Sequence, residues 1–130
     1  MVAGADPDAS RFASRARQAG LSERVRFLDA PEDLRTVYAA ADCLLLPTYS
    51  EAFPEGVLDA LAMGLPAILS RRCGAAEILR EGEDGWLCDP IDTLGLAHLL
   101  GHLLSYFYPL IHCHFQEWNR FQFFSYILMD

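Results

Sequence analysis

The chain has 130 residues, about half of them apolar, and a formal charge of −8. That length fits one domain with enough apolar residues for a core. All ten basic residues are arginine, and the acidic excess excludes nucleic acid or an anionic membrane surface as a general partner, while a local arginine site for phosphate stays compatible with it.

The elements follow in chain order. Val2–Gly4 reads as the end of a short strand, and Asp8–Ala19 as an Arg/Ala-rich helix closed by Gly20. Arg24–Leu28 alternates polar and apolar residues and reads as a strand. Pro31–Ala41 reads as a helix, with proline at its start and acids in its first turn. Leu44–Leu46 is a strand, Glu55–Met63 a helix, and Ala67–Leu69 a second apolar strand after a Gly-Leu-Pro stop. Ala75–Arg80 is a short helix, Trp86–Cys88 a strand and Thr93–Leu104 a helix. Strands that alternate with helices and are apolar throughout predict an α/β fold, a parallel sheet with helices on both faces. Ligands of such sheets bind beyond the carboxyl ends of the strands, so the loops after Leu28, Leu46 and Leu69 are the candidate site edge.

Composition changes near residue 103. Residues 103–130 hold nine of the fifteen aromatics and no alanine or glycine. Their first apolar run is too short to span a bilayer, and Pro109 breaks it. The chain therefore divides into a domain at 1–102 and an aromatic tail at 103–130. The tail reads as non-homologous sequence, of the kind a shifted reading frame produces, with a membrane-surface or partner-docking helix as the alternative. It is expected to stay outside the fold and the site, so that deletion after Leu104 improves solubility.

The four cysteines, at 43, 73, 88 and 113, form no C-x-x-C pair, which points to a reducing compartment and no zinc site. His98 and His102 stand four apart on a helix but lack a third ligand, so no metal is assigned. No positively charged start leads into an apolar stretch, so no secretory leader is expected. Gly4-Ala5-Asp6 does not carry the glycine-rich dinucleotide fingerprint. The richest stretch is Pro47 to Pro66. It sets Glu51 in a loop and Asp59 eight positions later inside a helix, with Phe53, Pro54, Glu55 and Gly56 between them. A helix start carries free N–H groups and about half a positive charge, which suits phosphate. Carboxylates at its mouth accept hydrogen bonds from hydroxyls. Together they describe a site for a nucleotide-sugar.

Glu51-Ala52-Phe53-Pro54, running into Leu58-Asp59-Ala60-Leu61-Ala62-Met63-Gly64-Leu65-Pro66, resembles the E-x7-E region of retaining GT-B glycosyltransferases. Here the second acid is Asp59, one methylene shorter than the family's glutamate. Further similarity lies in Val2 to Pro7, Leu21 to Leu28, Asp33 to Asp42, Cys73 to Ile78 and Gly82 to Pro90, in family order. The resemblance implies the Rossmann-like C-terminal half of a GT-B fold, incomplete, beginning at about its second strand. The acceptor domain and the first strand–helix unit, with its phosphate-clamping Arg and Lys, are then expected to lie outside this fragment, leaving it inactive alone. It implies Glu51 as the catalytic-site acid near the transferred sugar and Asp59 at the ribose hydroxyls. It implies that Phe53, Pro54, Glu55 and Gly56 present backbone amides, rather than side chains, to the donor nucleotide. No cofactor and no metal are implied, because helix amides and cations neutralise the leaving group. The partners implied are a nucleotide-sugar donor and a glycan or lipid-linked acceptor, met in the cytoplasm, with peripheral contact at the inner face of the membrane left open. The alternative is a non-catalytic nucleotide- or partner-binding module.

Overall fold

In the computed structural model the apolar runs at 43–46, 67–70 and 85–88 are strands with helix residues packed against their two faces. The structure describes residues 1–3, 9–28, 33–111 and 123–126. In chain order the elements are β1 (Val2–Ala3), α1 (Ala9–Gln18), β2 (Phe27–Leu28), α2 (Arg35–Ala39), β3 (Cys43–Leu46), α3 (Glu55–Ala62), β4 (Ala67–Ser70), a 3-10 turn (Gly74–Glu77), β5 (Gly85–Cys88), α4 (Thr93–Ile111) and β6 (Phe123–Tyr126). All six strands lie in one sheet of order β2-β1-β6-β3-β4-β5, and every pair is parallel.

β4 is buried along its whole length, as a strand covered on both faces must be. On one face Leu44, Leu46, Ala67 and Leu69 pack with Tyr38 of α2 and with Val57 and Ala60 of α3. On the other, Cys43, Ile68 and Cys88 pack with Leu103 of α4 and the partly buried Leu96, Leu99 and Leu100. Parallel strands need such crossovers, and the helices on the two faces supply them.

The helix stops read from glycine hold. At the end of α3 the amide of Gly64 donates to the carbonyl of Leu61, and that of Leu65 to the carbonyl of Ala60. Gly64 sits at φ +76°, the left-handed conformation this double bond requires. Gly20 ends α1 the same way, with Gly20 donating to Arg17 and Leu21 to Ala16.

Four expectations change. The amides of Arg24 and Val25 donate to the carbonyl of Leu21, forming a turn that confines β2 to two residues. The amide of Arg35 bonds the Asp33 carboxylate at 2.9 Å, and α2 starts only there, not at Pro31, which lies outside the described residues. The helix expected at Ala75–Arg80 is a 3-10 turn beginning at Gly74, because Ala76 donates to Cys73 and Ile78 to Ala75, three residues back. Beyond residue 103 the tail does not stay outside the fold. α4 runs through Pro109, where proline near a helix end forfeits one backbone bond, and β6 pairs with both β1 and β3. Deletion after Leu104 therefore removes an interior strand and is expected to destabilise the sheet.

The buried cysteines act as small apolar side chains. Burial pushes the Cys43 thiol up to about 12 and also raises those of Cys73 and Cys88. The thiolate is the nucleophile, so all three are expected to resist iodoacetamide at pH 8 in the folded chain and to react in urea. Peptide mass spectrometry of the two samples reads this directly.

Candidate functional site

Two loops leave the carboxyl edge of the sheet side by side. Pro47 to Pro54 follows β3, and Arg71 to Cys73 follows β4. The strands are parallel neighbours, with Leu46 opposite Leu69, so both loops emerge at one edge. There they are clasped together. Glu51 and Cys73 form a parallel bridge, and the amide of Gly74 donates to the Glu51 carbonyl at 2.9 Å. The contact is so close that a Cβ on Gly74 would lie 1.7 Å from the Ala52 carbonyl oxygen. Glycine is required there by proximity rather than by an unusual φ.

Glu51 is half-buried at this clasp. Burial raises the thiol of Cys73, the amides of Ala75 and Ala76 lower it, and the charge of Glu51 raises it further. Phe53 is 45% exposed, with its ring edge beside Gly74. Pro54 is buried and stands in extended conformation as the N-cap of α3, and no side chain caps the helix. Pro54 has no amide hydrogen, so of the run expected to offer amides, only Phe53, Glu55 and Gly56 carry one. Glu55 opens the helix and is exposed, an acid favourably placed in a first turn.

Gly56 has a structural role not evident from its loop-like context. A Cβ there would meet the hydroxyl of the buried Tyr38 at 2.7 Å. The glycine makes room for a tyrosine from α2 beneath the helix start. Asp59 lies one turn further along α3, four residues after Glu55 and on the same exposed face. Its charge reaches Arg35 on α2, whose guanidinium is held chiefly by Asp33. Neither Glu51 nor Asp59 is ion-paired among the described residues.

Glu51 and Phe53 are thus brought together with Cys73 and Gly74, whereas Asp59 stands apart, further along the helix. Sequence reasoning passed over Arg72. Its amide donates to the hydroxyl of Ser70, the only buried polar residue described, at 3.0 Å. That bond fixes the turn from which the exposed Arg72 side chain leaves the same edge. Neighbouring Arg71 contacts Glu81 at 3.4 Å, while Arg72 is in no ion pair among the described residues. The doublet Arg71-Arg72 at a strand end was the available signal. Among the described residues no three His, Cys, Asp or Glu side chains gather as a metal site, and His102 stands against Trp86, ring centroids 6.1 Å apart.

The family model "Glycosyl transferases group 1" matches residues 1–106. The chain belongs to that family. It is 36% identical over 104 residues to the D-inositol 3-phosphate glycosyltransferase of Corynebacterium diphtheriae, covering 78% of this chain and 24% of that protein. To the protein of the same name from Mycobacterium sp. (strain KMS) it is 40% identical over 92 residues, covering 69% and 21%. It therefore spans about a quarter of the length of these curated relatives. Among solved structures it superposes on WaaG, a glycosyltransferase involved in lipopolysaccharide biosynthesis, with a TM-score of 0.71 and 30% identity, covering 80% of this chain and 28% of that one. The Anabaena protein HepE, solved in complex with UDP, gives a TM-score of 0.72 at 25% identity, covering 80% and 30%. The fold is the Rossmann-like α/β arrangement of GT-B glycosyltransferases. No helix among the described residues is long and apolar enough to cross a membrane.

Proposed function

We propose that this glycosyltransferase-family chain holds the nucleotide-sugar donor of a retaining transfer reaction. The observation that carries the reading is the clasp of the Glu51 loop on Cys73-Gly74. It sets a carboxylate at the carboxyl edge of β3 and β4, beside an uncapped helix start, where doubly wound sheets take their ligands. Support comes from HepE, a structural neighbour solved with UDP.

In this reading the amides of Phe53, Glu55 and Gly56 receive the diphosphate, and Arg72 adds a cation from the adjoining loop. Asp59 accepts the ribose hydroxyls, and Glu51 faces the sugar to be transferred. No metal is assigned a role, so EDTA should leave donor binding unchanged. The acceptor is a glycan or lipid-linked hydroxyl compound, presented in the cytoplasm or at the inner face of the membrane. A second reading, a non-catalytic nucleotide- or partner-binding module, draws on the short span of the chain relative to its relatives.

Ligand-observed NMR with UDP, GDP and ADP tests the first reading. One of the three is expected to bind the folded chain, and silence from all three would remove the proposal. Asp59→Ala should weaken that binding by about 1–3 kcal/mol, the usual cost of leaving hydroxyls without their charged acceptor. An unchanged Kd would return Asp59 to being a surface neighbour of Arg35.

A further inference from the structure

The last strand among the described residues lies in the middle of the sheet. β6 stands between β1 and β3 and bonds to both, with Val2 and Ala3 opposite Ser125 and Tyr126, and Cys43, Leu44 and Leu45 opposite Phe123, Phe124 and Ser125. β1 and β3 do not pair with each other. Ser125 is bracketed on both sides, by Val2 and by Leu45.

A common doubly wound order is 3-2-1-4-5-6. Laid on the observed order, β2, β1, β3, β4 and β5 take its third, second, fourth, fifth and sixth places. β6 takes the first. The position such folds fill with their earliest strand is filled here by the latest one. β6 also lies outside the stretch 1–106 that matches the family model.

Without β6 the sheet would fall into a pair of two-residue strands and a separate group of three. A two-stranded unit is marginal alone. β3, three of whose four residues are buried, would present its row of backbone N–H and C=O groups with no ladder partner on that side.

We propose that the gap between β1 and β3 is a strand-acceptor slot and that Phe123–Tyr126 is the peptide that occupies it. The slot recognises a short extended segment through main-chain bonds on both edges, in parallel orientation. Residues 112–122 link the end of α4 to the occupant. Nothing in the pairing requires that the segment arrive on the same polypeptide. Any other parallel strand offered to the slot must displace β6.

The test uses the whole chain with a protease site placed within residues 112–122 and cut after purification. A fluorescent peptide of residues 119–130, added in excess, is expected to exchange into the cut protein and raise its anisotropy. The same peptide with Ser125→Pro should bind at least tenfold more weakly, because proline lacks the N–H an interior strand must donate. In the uncut chain, Ser125→Pro should speed amide exchange in Leu44–Leu46 relative to Ser125→Thr. Failure of the unaltered peptide to bind, whether or not the large piece stays folded, overturns the proposal. Equal binding of the proline peptide, or unaltered exchange at β3, overturns it as well.

Discussion

Incubated with a nucleotide-sugar and an acceptor, the 130-residue chain is expected to release nucleoside diphosphate no faster than background. Transfer needs the acceptor hydroxyl held against the anomeric carbon. Positioning of that kind is worth about 7–11 kcal/mol of a barrier. The matched relatives are more than three times as long as this chain, 104 aligned residues making up 24% of one of them. Adding the remaining length of a relative, as a fusion or a separate chain, should raise release well above background. In that assembly Glu51→Ala should reduce the rate by about a hundredfold, the penalty that loss of a positioning contact commonly brings. Robust transfer by the 130 residues alone would show that the chain holds its own acceptor site. Restored transfer indifferent to Glu51→Ala would leave the family placement intact and remove Glu51 from the chemistry.

Much of the fold was legible because its causes are local. The bonds that end α1 and α3 depend on one glycine each, at positions 20 and 64, and a glycine after a helical stretch is visible without a structure. β4 is legible for a different reason. A strand covered on both faces must be apolar at every position, and Ala67-Ile68-Leu69 is. β6 was not legible. Its aromatic surroundings carry no helix or strand period that points inward, and its place depends on pairing with residues more than seventy positions away. Local pattern does not encode such pairing.

The same divide runs through the site. Glu51, Phe53 and the start of α3 stand out through residue type and spacing. The partner that fixes them does not. Gly74 follows a cysteine in a stretch that reads equally well as the first turn of a helix, and only the folded chain shows its amide on the Glu51 carbonyl. Gly56 carries the converse lesson. A glycine at a helix start suggests close approach of a ligand, yet the neighbour that demands it is Tyr38 of the same chain. Arg72 shows a third limit. An arginine doublet has no preferred partner in sequence, and only the folded chain shows Arg71 against Glu81 while the amide of Arg72 bonds the Ser70 hydroxyl.

Gly74→Ala is expected to disrupt stability and donor binding together. The added Cβ would stand 1.7 Å from the carbonyl oxygen and 2.9 Å from the carbonyl carbon of Ala52. These are backbone atoms and cannot swing aside as a side-chain tip can. Either the 3-10 turn or the loop after β3 must shift, and both carry the bond between Gly74 and Glu51. Overpacking of this kind costs about 1–3 kcal/mol, which for a domain of this size lowers Tm by roughly 5–15 °C. Glu51 and Phe53 move with the loop, so nucleotide binding should fall further than the loss of folded protein explains. Gly101→Ala serves as the opposite control. Gly101 lies in α4 with nothing within 4 Å of its added Cβ, so alanine should stabilise the helix by about 0.5–1 kcal/mol. Thermal denaturation of both variants, with donor titration at a temperature where each is fully folded, separates the two effects. A Gly74→Ala protein that keeps its Tm and its affinity would mean that the clasp between the two loops yields freely and does not position Glu51.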